Sequence, residues 1–352
     1  MMRRIRIMVF LLLVGAAARV DAGEPKVVDN PARGLWDEEP RQNFHLLEDL
    51  YVAGDDEENG LIFGRIADVA VDSRGRMLIL DSGFSCVKVY DPDSMIVHTI
   101  GRKGEGPGEF NQPTAIGVDA EDRIYVASQG GRVAIFAANG VWIEEFRHRF
   151  PGGIITKVRL APNALYLACF DPVDDKIVHR YDATHSYLSS FSDSWSAVEA
   201  MQPDEEFAWN FGMIDVDANG YVYYTQATPY EIRKFSPQGE LLLTIHRENK
   251  YMKRPRIERH GDGATVYSYS MSFCIVVLDD GKFINVLRYL PNDTDFTNVK
   301  TVLDLFDAEG RLLKSTVREG RISIRCRDAK GRLYAIEEHE VPEVVRYRLQ
   351  FP

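Results

Sequence analysis

Three histidines, His148, His246 and His260, stand in polar connections between apolar runs, where three imidazoles brought to one face could hold zinc and activate water. Surface or packing histidines are the plainer alternative. Residues 246–260 (HRENKYMKRPRIERH) carry six Lys or Arg against two Glu in a chain whose net charge is −11, which suits a solvated loop or an anion site. The run from Asp215 through Asp217 and Asn219 to Gly220 has the spacing of half a calcium loop. Its twelfth position is Gln226, where a bidentate Glu is required, so a turn is expected instead. Glycines 101, 104, 106 and 108 hint at phosphate binding, but Pro113 and a strand-like run follow them where a phosphate loop needs a helix N-terminus. The sequence contains no G-x-S-x-G, H-E-x-x-H or Walker pattern. Cys86, Cys169, Cys274 and Cys326 form no C-x-x-C pair, which argues against a zinc knuckle or a redox motif. Buried free thiols are expected, with Cys274 and Cys326 the one pair worth testing for a disulfide.

The elements that would position these groups repeat six times. An apolar run, a tight polar turn and a second apolar run recur around Gly75, Asp122, Asn163, Gly220, Gly281 and Gly331, at intervals of 47, 41, 57, 61 and 50 residues. Each copy reads as a β-hairpin whose turn residue favours positive φ, and the spacing is that of a four-stranded propeller blade with insertions in the longer intervals. A third strand follows each hairpin and ends in an aromatic residue: Tyr90, Phe136, Tyr181, Phe235, Phe306 and Tyr347. Five copies continue into a turn and a fourth strand. The sixth stops at Pro352, one strand short, while residues 44–54 (FHLLEDLYVAG) resemble a fourth strand with no blade of their own. The expected fold is therefore all-β: a six-bladed propeller over residues 44–352, its last blade closed by the N-terminal strand, because closure removes an unpaired edge. Residues 23–43, rich in Pro and charge, are expected to be a leader with little core to join.

This layout resembles the NHL-type six-bladed propellers over about residues 44–350. The stretch from Gly101 through Gly104, Gly106, Gly108 and Phe110 to Pro113 looks like the loop those proteins place between blades. The resemblance implies architecture and leaves function open, since that fold carries lyases, lactone hydrolases, strictosidine-synthase-like enzymes, RNA-binding domains and interaction modules. Its metal-using amidating lyases carry histidines on the same face, but no motif here transfers their ligands.

The first 22 residues run basic, apolar, then small: Arg3, Arg4 and Arg6, the stretch from Ile7 to Ala18, and Val20-Asp21-Ala22. That is the pattern of a signal peptide. Its apolar run falls short of the roughly 20 residues a spanning helix needs. With no long apolar stretch later and no cysteine at the new N-terminus, a free periplasmic or secreted protein is expected. Cleavage would take four arginines and one aspartate from the charge of −11, leaving −14, so nucleic acid is not expected as a partner.

Ten residues before each turn residue, at matching depth on the inner strands, stand Arg65, Gln112, Gly153, Asn210, Met271 and Arg321. Two cations and two amides at one level suit a carboxylate, sulfate or phosphate group. The candidate ligand site is thus Arg65, Gln112, Asn210 and Arg321 at the channel mouth, with the basic loop of Lys253, Arg254, Arg256 and His260 over it. The expected function is a monomeric, cofactor-free and metal-free binding or scaffold module for a small anionic ligand, a carbohydrate or a protein. A hydrolase or lyase at the same mouth is the alternative.

Overall fold

The recurring polar turn is held by its leading aspartate. In the first hairpin Asp72 Oδ1 accepts the backbone N–H groups of Arg74 (3.1 Å) and Arg76 (2.8 Å), and Oδ2 accepts Arg76 Nε at 2.6 Å. The same clasp recurs at Asp119 with Arg123 and at Asp328 with Arg332. A carboxylate that satisfies two turn amides and one guanidinium fixes both the turn and the register of the strands beside it. Gly75, Asp122, Gly220, Gly281 and Gly331 adopt φ between +60° and +83°. Asn163 departs from expectation and has no positive φ. Pro162 precedes it in a two-residue link between the paired Ala161 and Ala164, and its ring holds φ near −65°, which excludes the mirror-image turn.

The computed structural model describes residues 24–39, 41–53, 55–56, 61–91, 96–150, 153–171, 173–194, 212–253, 255–260, 263–293 and 295–351. They build six four-stranded antiparallel blades around a ring. The inner strands are Ile66–Val71, Pro113–Val118, Lys157–Ala161, Gly212–Val216, Ser270–Val277 and Arg321–Arg327, each packed beside the next. Second strands such as Met77–Asp81 and Ile124–Ser128 are buried at every residue, because blades cover both their faces. Six apolar clusters fill the six gaps between blades, from Leu78, Ile116 and Phe136 between blades one and two to Val52, Met77 and Tyr334 between six and one. The six repeated aromatics are all buried, at 0–3% exposure, and serve as one wedge per blade.

Blade six closes as the strand count requires. His45–Ala53 pairs antiparallel with Pro342–Gln350, setting Leu46 opposite Leu349 and Val52 opposite Val344. The leader differs from expectation. Lys26–Asn30 adds a fifth strand to blade four, parallel to Leu241–Arg247. Asn30 then bridges to blade five, donating to Gly310 O at 2.9 Å and accepting Leu312 N at 2.7 Å. Further along, Asp37 pairs with Lys314 at 2.7 Å, and Trp36 meets Phe351 edge-on. The free outer edge of blade four supplies the partner that the leader's own composition did not announce. Residues 1–22 lie outside the described residues. No helix among the described residues is long and apolar enough to cross a membrane. A hairpin of Arg256–His260 and Gly263–Tyr267 is inserted between blades four and five.

Candidate functional site

Inner strands of a propeller pair on one side only, so their channel-facing N–H and C=O groups need other partners. Side chains from neighbouring blades supply them. Asp68 Oδ2 accepts Ile116 N at 3.1 Å, Asp215 Oδ2 accepts Val277 N at 2.8 Å, and Arg327 Nε donates to Val277 O at 2.6 Å. Other contacts cross the ring. Lys157 of blade three reaches Asp68 of blade one at 2.5 Å, with both side chains almost fully buried. Arg159, also of blade three, pairs with Asp215 at 2.6 Å and donates through Nη2 to the carbonyl of Arg325 on the opposite blade, again at 2.6 Å. The channel is therefore barred by ion pairs. Burial, reinforced by the Arg159 charge, lowers the Lys157 pKa against the opposing pull of Asp68.

A cavity of about 420 Å³ opens at the hairpin end of the ring, lined by Arg159, Asp215, Asp279, Cys326 and Arg327 among apolar strand ends. Here Arg327 pairs with Asp279. At the opposite end, where the inner strands begin, stand the residues chosen by depth. The carbonyls of Arg65 and Gln112 accept the amides that directly follow the second strands, those of Ser82 (2.8 Å) and Gln129 (3.2 Å), while Arg321 lies opposite Glu338. Arg65 and Gln112 are exposed. Arg321 is half-exposed, held by Glu338 Oε2 at 3.3 Å and the Phe296 carbonyl at 3.1 Å. Asn210 and Arg254 lie outside the described residues.

The basic insertion has local partners. Lys253 joins Asp293 (2.5 Å) and the Leu290 carbonyl (2.9 Å), and Arg256 joins Glu258 (2.8 Å) on its own hairpin, while His260 is exposed 3.9 Å from the same Glu258. The three histidines are not brought together. His148 is buried between blades two and three, its ring 4.6 Å from that of His179 and its Nδ1 2.6 Å from the Tyr181 hydroxyl. His246 instead sits between Asp29 and Glu231, at 3.1 Å from each. Burial, with the nearby His179, pushes the His148 pKa down to about 3. Among the described residues no three His, Cys, Asp or Glu side chains converge as metal ligands would.

All four cysteines are free, and Cys274 and Cys326 do not bond to each other. Burial raises both thiols, Cys326 to about 12, so neither is a ready nucleophile. The glycine-rich stretch closes on itself: Glu109 accepts Gly106 N at 2.9 Å and pairs with Arg102, and Arg132 clamps the Gly106 carbonyl at 2.6 Å. Asp217 caps its own turn through Asn219 N and Tyr221 N, while Asp215 faces the channel, so the calcium-like run is a turn.

Sequence reasoning missed the channel's charged interior: Asp68, Lys157, Arg159, Asp215, Arg288 and Arg325. Arg288 lies on the second strand of blade five, Phe283–Tyr289, and its guanidinium sits 4.0 Å from the Phe273 ring centroid, with that of Arg325 5.5 Å from the same ring. Phe273 and Arg325 are the extra residues of β-bulges, where register shifts between Ser272 and Cys274 and between Ile324 and Cys326. A bulge re-aims a side chain that regular alternation would send elsewhere.

A family described as a 6-bladed beta-propeller (DUF5128) matches residues 58–151. NHL repeat-containing protein 3 of Mus musculus is 28% identical over 186 residues, 51% of this chain and 52% of that protein. Its Homo sapiens counterpart is 30% identical over 115 residues, 31% of this chain and 33% of that protein. The chain thus spans about half of the first relative and a third of the second. Among solved structures, a member of the DUF4221 family from Bacteroides vulgatus superposes with a TM-score of 0.60 at 9% identity, covering 89% of this chain and 100% of that one. A protein predicted to be exported, from Bacteroides fragilis, gives 0.58 at 11%, covering 93% and 100%. A catalytically inactive virginiamycin B lyase from Staphylococcus aureus, with quinupristin, gives 0.52 at 9%, covering 86% and 99%. At these identities the likeness is one of fold.

Proposed function

We propose that this chain, an NHL-type six-bladed β-propeller, works outside the cytoplasm as a binding module that takes a small anionic ligand at the end of the channel where the inner strands begin. Export follows from the basic, apolar, small pattern of residues 1–22. The observation that carries the reading is charge. Lys157, Arg159, Arg288, Arg321, Arg325 and Arg327 gather along the channel against Asp68, Asp215, Asp279 and Glu338, in a chain of net charge −11. Low-dielectric walls focus such a surplus on a ligand entering the mouth. Arg65, Gln112, Asn210 and Arg321 are the residues we assign to first contact. The likeness to the lyase is one of fold and brings no catalytic residue, so binding without chemistry is the reading kept.

Thermal-shift titration with acetate, a uronate and a sulfated sugar tests it, with Arg65→Ala and Arg321→Ala as controls. At least one anion is expected to raise the melting temperature of the wild type and to do so less in the variants. Equal shifts in all three proteins would overturn the assignment.

A further inference from the structure

The loop-end mouth leads inward along a graded series of charges. Arg321 and Glu338 are about 40% exposed, Arg288 is 11% exposed at the far side of Glu338, and Arg325 follows across the Phe273 ring. Glu338 is shared by two arginines, at 2.9 Å from Arg288 Nη1 and 3.3 Å from Arg321 Nη1. Arg288 Nε and Nη2 and Arg325 Nε are buried with no hydrogen-bond partner. Arg325 meets no carboxylate among the described residues. A buried guanidinium nitrogen left without an acceptor is costly, and two guanidiniums facing one ring repel each other. Burial, with a smaller push from the Arg325 charge, lowers the Arg288 pKa against the opposing pull of Glu338.

We infer that Arg288 and Arg325, set around Phe273 in the channel between blades five and six, form an internal site for a divalent oxyanion, a sulfate or phosphate group. The valence comes from the charges around the pair: three arginines, Arg288, Arg321 and Arg325, against the single carboxylate of Glu338 leave a net surplus of two positive charges. The chemistry comes from the donors. Unused N–H groups on two planar forks match the oxygens of a tetrahedral oxyanion, which spreads its charge over several acceptors, better than they match a halide. The two bulges make the site possible, since they turn Phe273 and Arg325 out of the strand alternation. The site rests on the reading of the channel as a binding surface, and it adds, behind the mouth residues assigned to first contact, an internal pair that holds a dianion.

Calorimetric titration of the full-length protein with inorganic phosphate and with sulfate, at ionic strength fixed by chloride, tests the inference. A glucose 6-phosphate arm distinguishes a free anion from an esterified one. The variants are Arg325→Gln, which orphans no carboxylate, Arg325→Lys, which keeps charge but loses the fork, and Arg65→Ala. One phosphate or sulfate is expected per chain, weakened at least about tenfold in Arg325→Gln by the loss of a charge-assisted hydrogen bond, and unchanged in Arg65→Ala. Should Arg325→Gln not fold, the same loss of fork bonds is read in Arg325→Lys. Wild-type affinity in the Arg325 variant that is read, or no binding of either dianion, overturns the internal site. Loss in Arg65→Ala alone overturns it while leaving the mouth reading standing. Loss in Arg325→Gln with Arg65→Ala unaffected supports the internal site and leaves the mouth assignment to its own thermal-shift test.

Discussion

Replacing Lys157 by Met tests whether the ion pairs across the channel hold the ring together. Lys157 and Asp68 are 3% and 1% exposed and meet at 2.5 Å. Asp68 Oδ1 also accepts Val69 N at 2.9 Å, and Oδ2 accepts Ile116 N at 3.1 Å. Removing the ammonium leaves a buried carboxylate with two backbone donors and, in place of a direct ion-pair partner, only the more distant charge of Arg159, a loss that should cost about 3–5 kcal/mol. Asp68→Asn in the same background removes the orphaned charge while its amide oxygen can still accept Ile116 N, so the double variant should recover to within about 1–2 kcal/mol of wild type. Urea denaturation of the wild type, both single variants and the double variant closes the cycle, with an expected coupling of at least about 2 kcal/mol. A cost below about 1 kcal/mol for Lys157→Met, or additive single effects, would refute the idea that this pair braces blade three against blade one.

Phe306→Ala should cost about 3–5 kcal/mol in urea denaturation, because the ring is fully buried and stacked 5.0 Å from Phe283, and a loss under about 1 kcal/mol would undo its place as the blade wedge. The fold should also lose stability in acid through His148. Its folded pKa, about 3, lies below the unfolded value near 6.5, so the unfolded chain binds the extra proton and stability falls as pH drops from 6.5 toward 3, by up to about 1.4 kcal/mol per unit. His148→Gln should flatten the part of that slope measured by urea denaturation between pH 7 and 5, and an unchanged slope would assign the acid sensitivity elsewhere.

The blade count, the six aromatic wedges and the closure of blade six by residues 44–54 were legible in the amino-acid order. They rest on local chemistry: a clasping aspartate or a glycine at five of the six turns, apolar runs along the strands, and a last copy one strand short while a spare strand stands near the N-terminus. Asn163 shows where local reading slips, since the neighbouring Pro162 changes the turn without changing the hairpin. Depth on the inner strands was also countable, which is why Arg65, Gln112 and Arg321 stand at the starts of theirs. What the channel contains was decided only by tertiary structure. A bulge inserts one residue and reverses the parity of a strand, so no count along the sequence points Phe273 or Arg325 toward the axis. Ring closure sets the guanidinium of Arg159 against a carbonyl 166 residues away. The leader obeys the same logic: Lys26–Asn30 becomes a strand because the outer edge of blade four is open and Gly310 and Leu312 offer Asn30 its bonds, partners that exist only once the blades have formed.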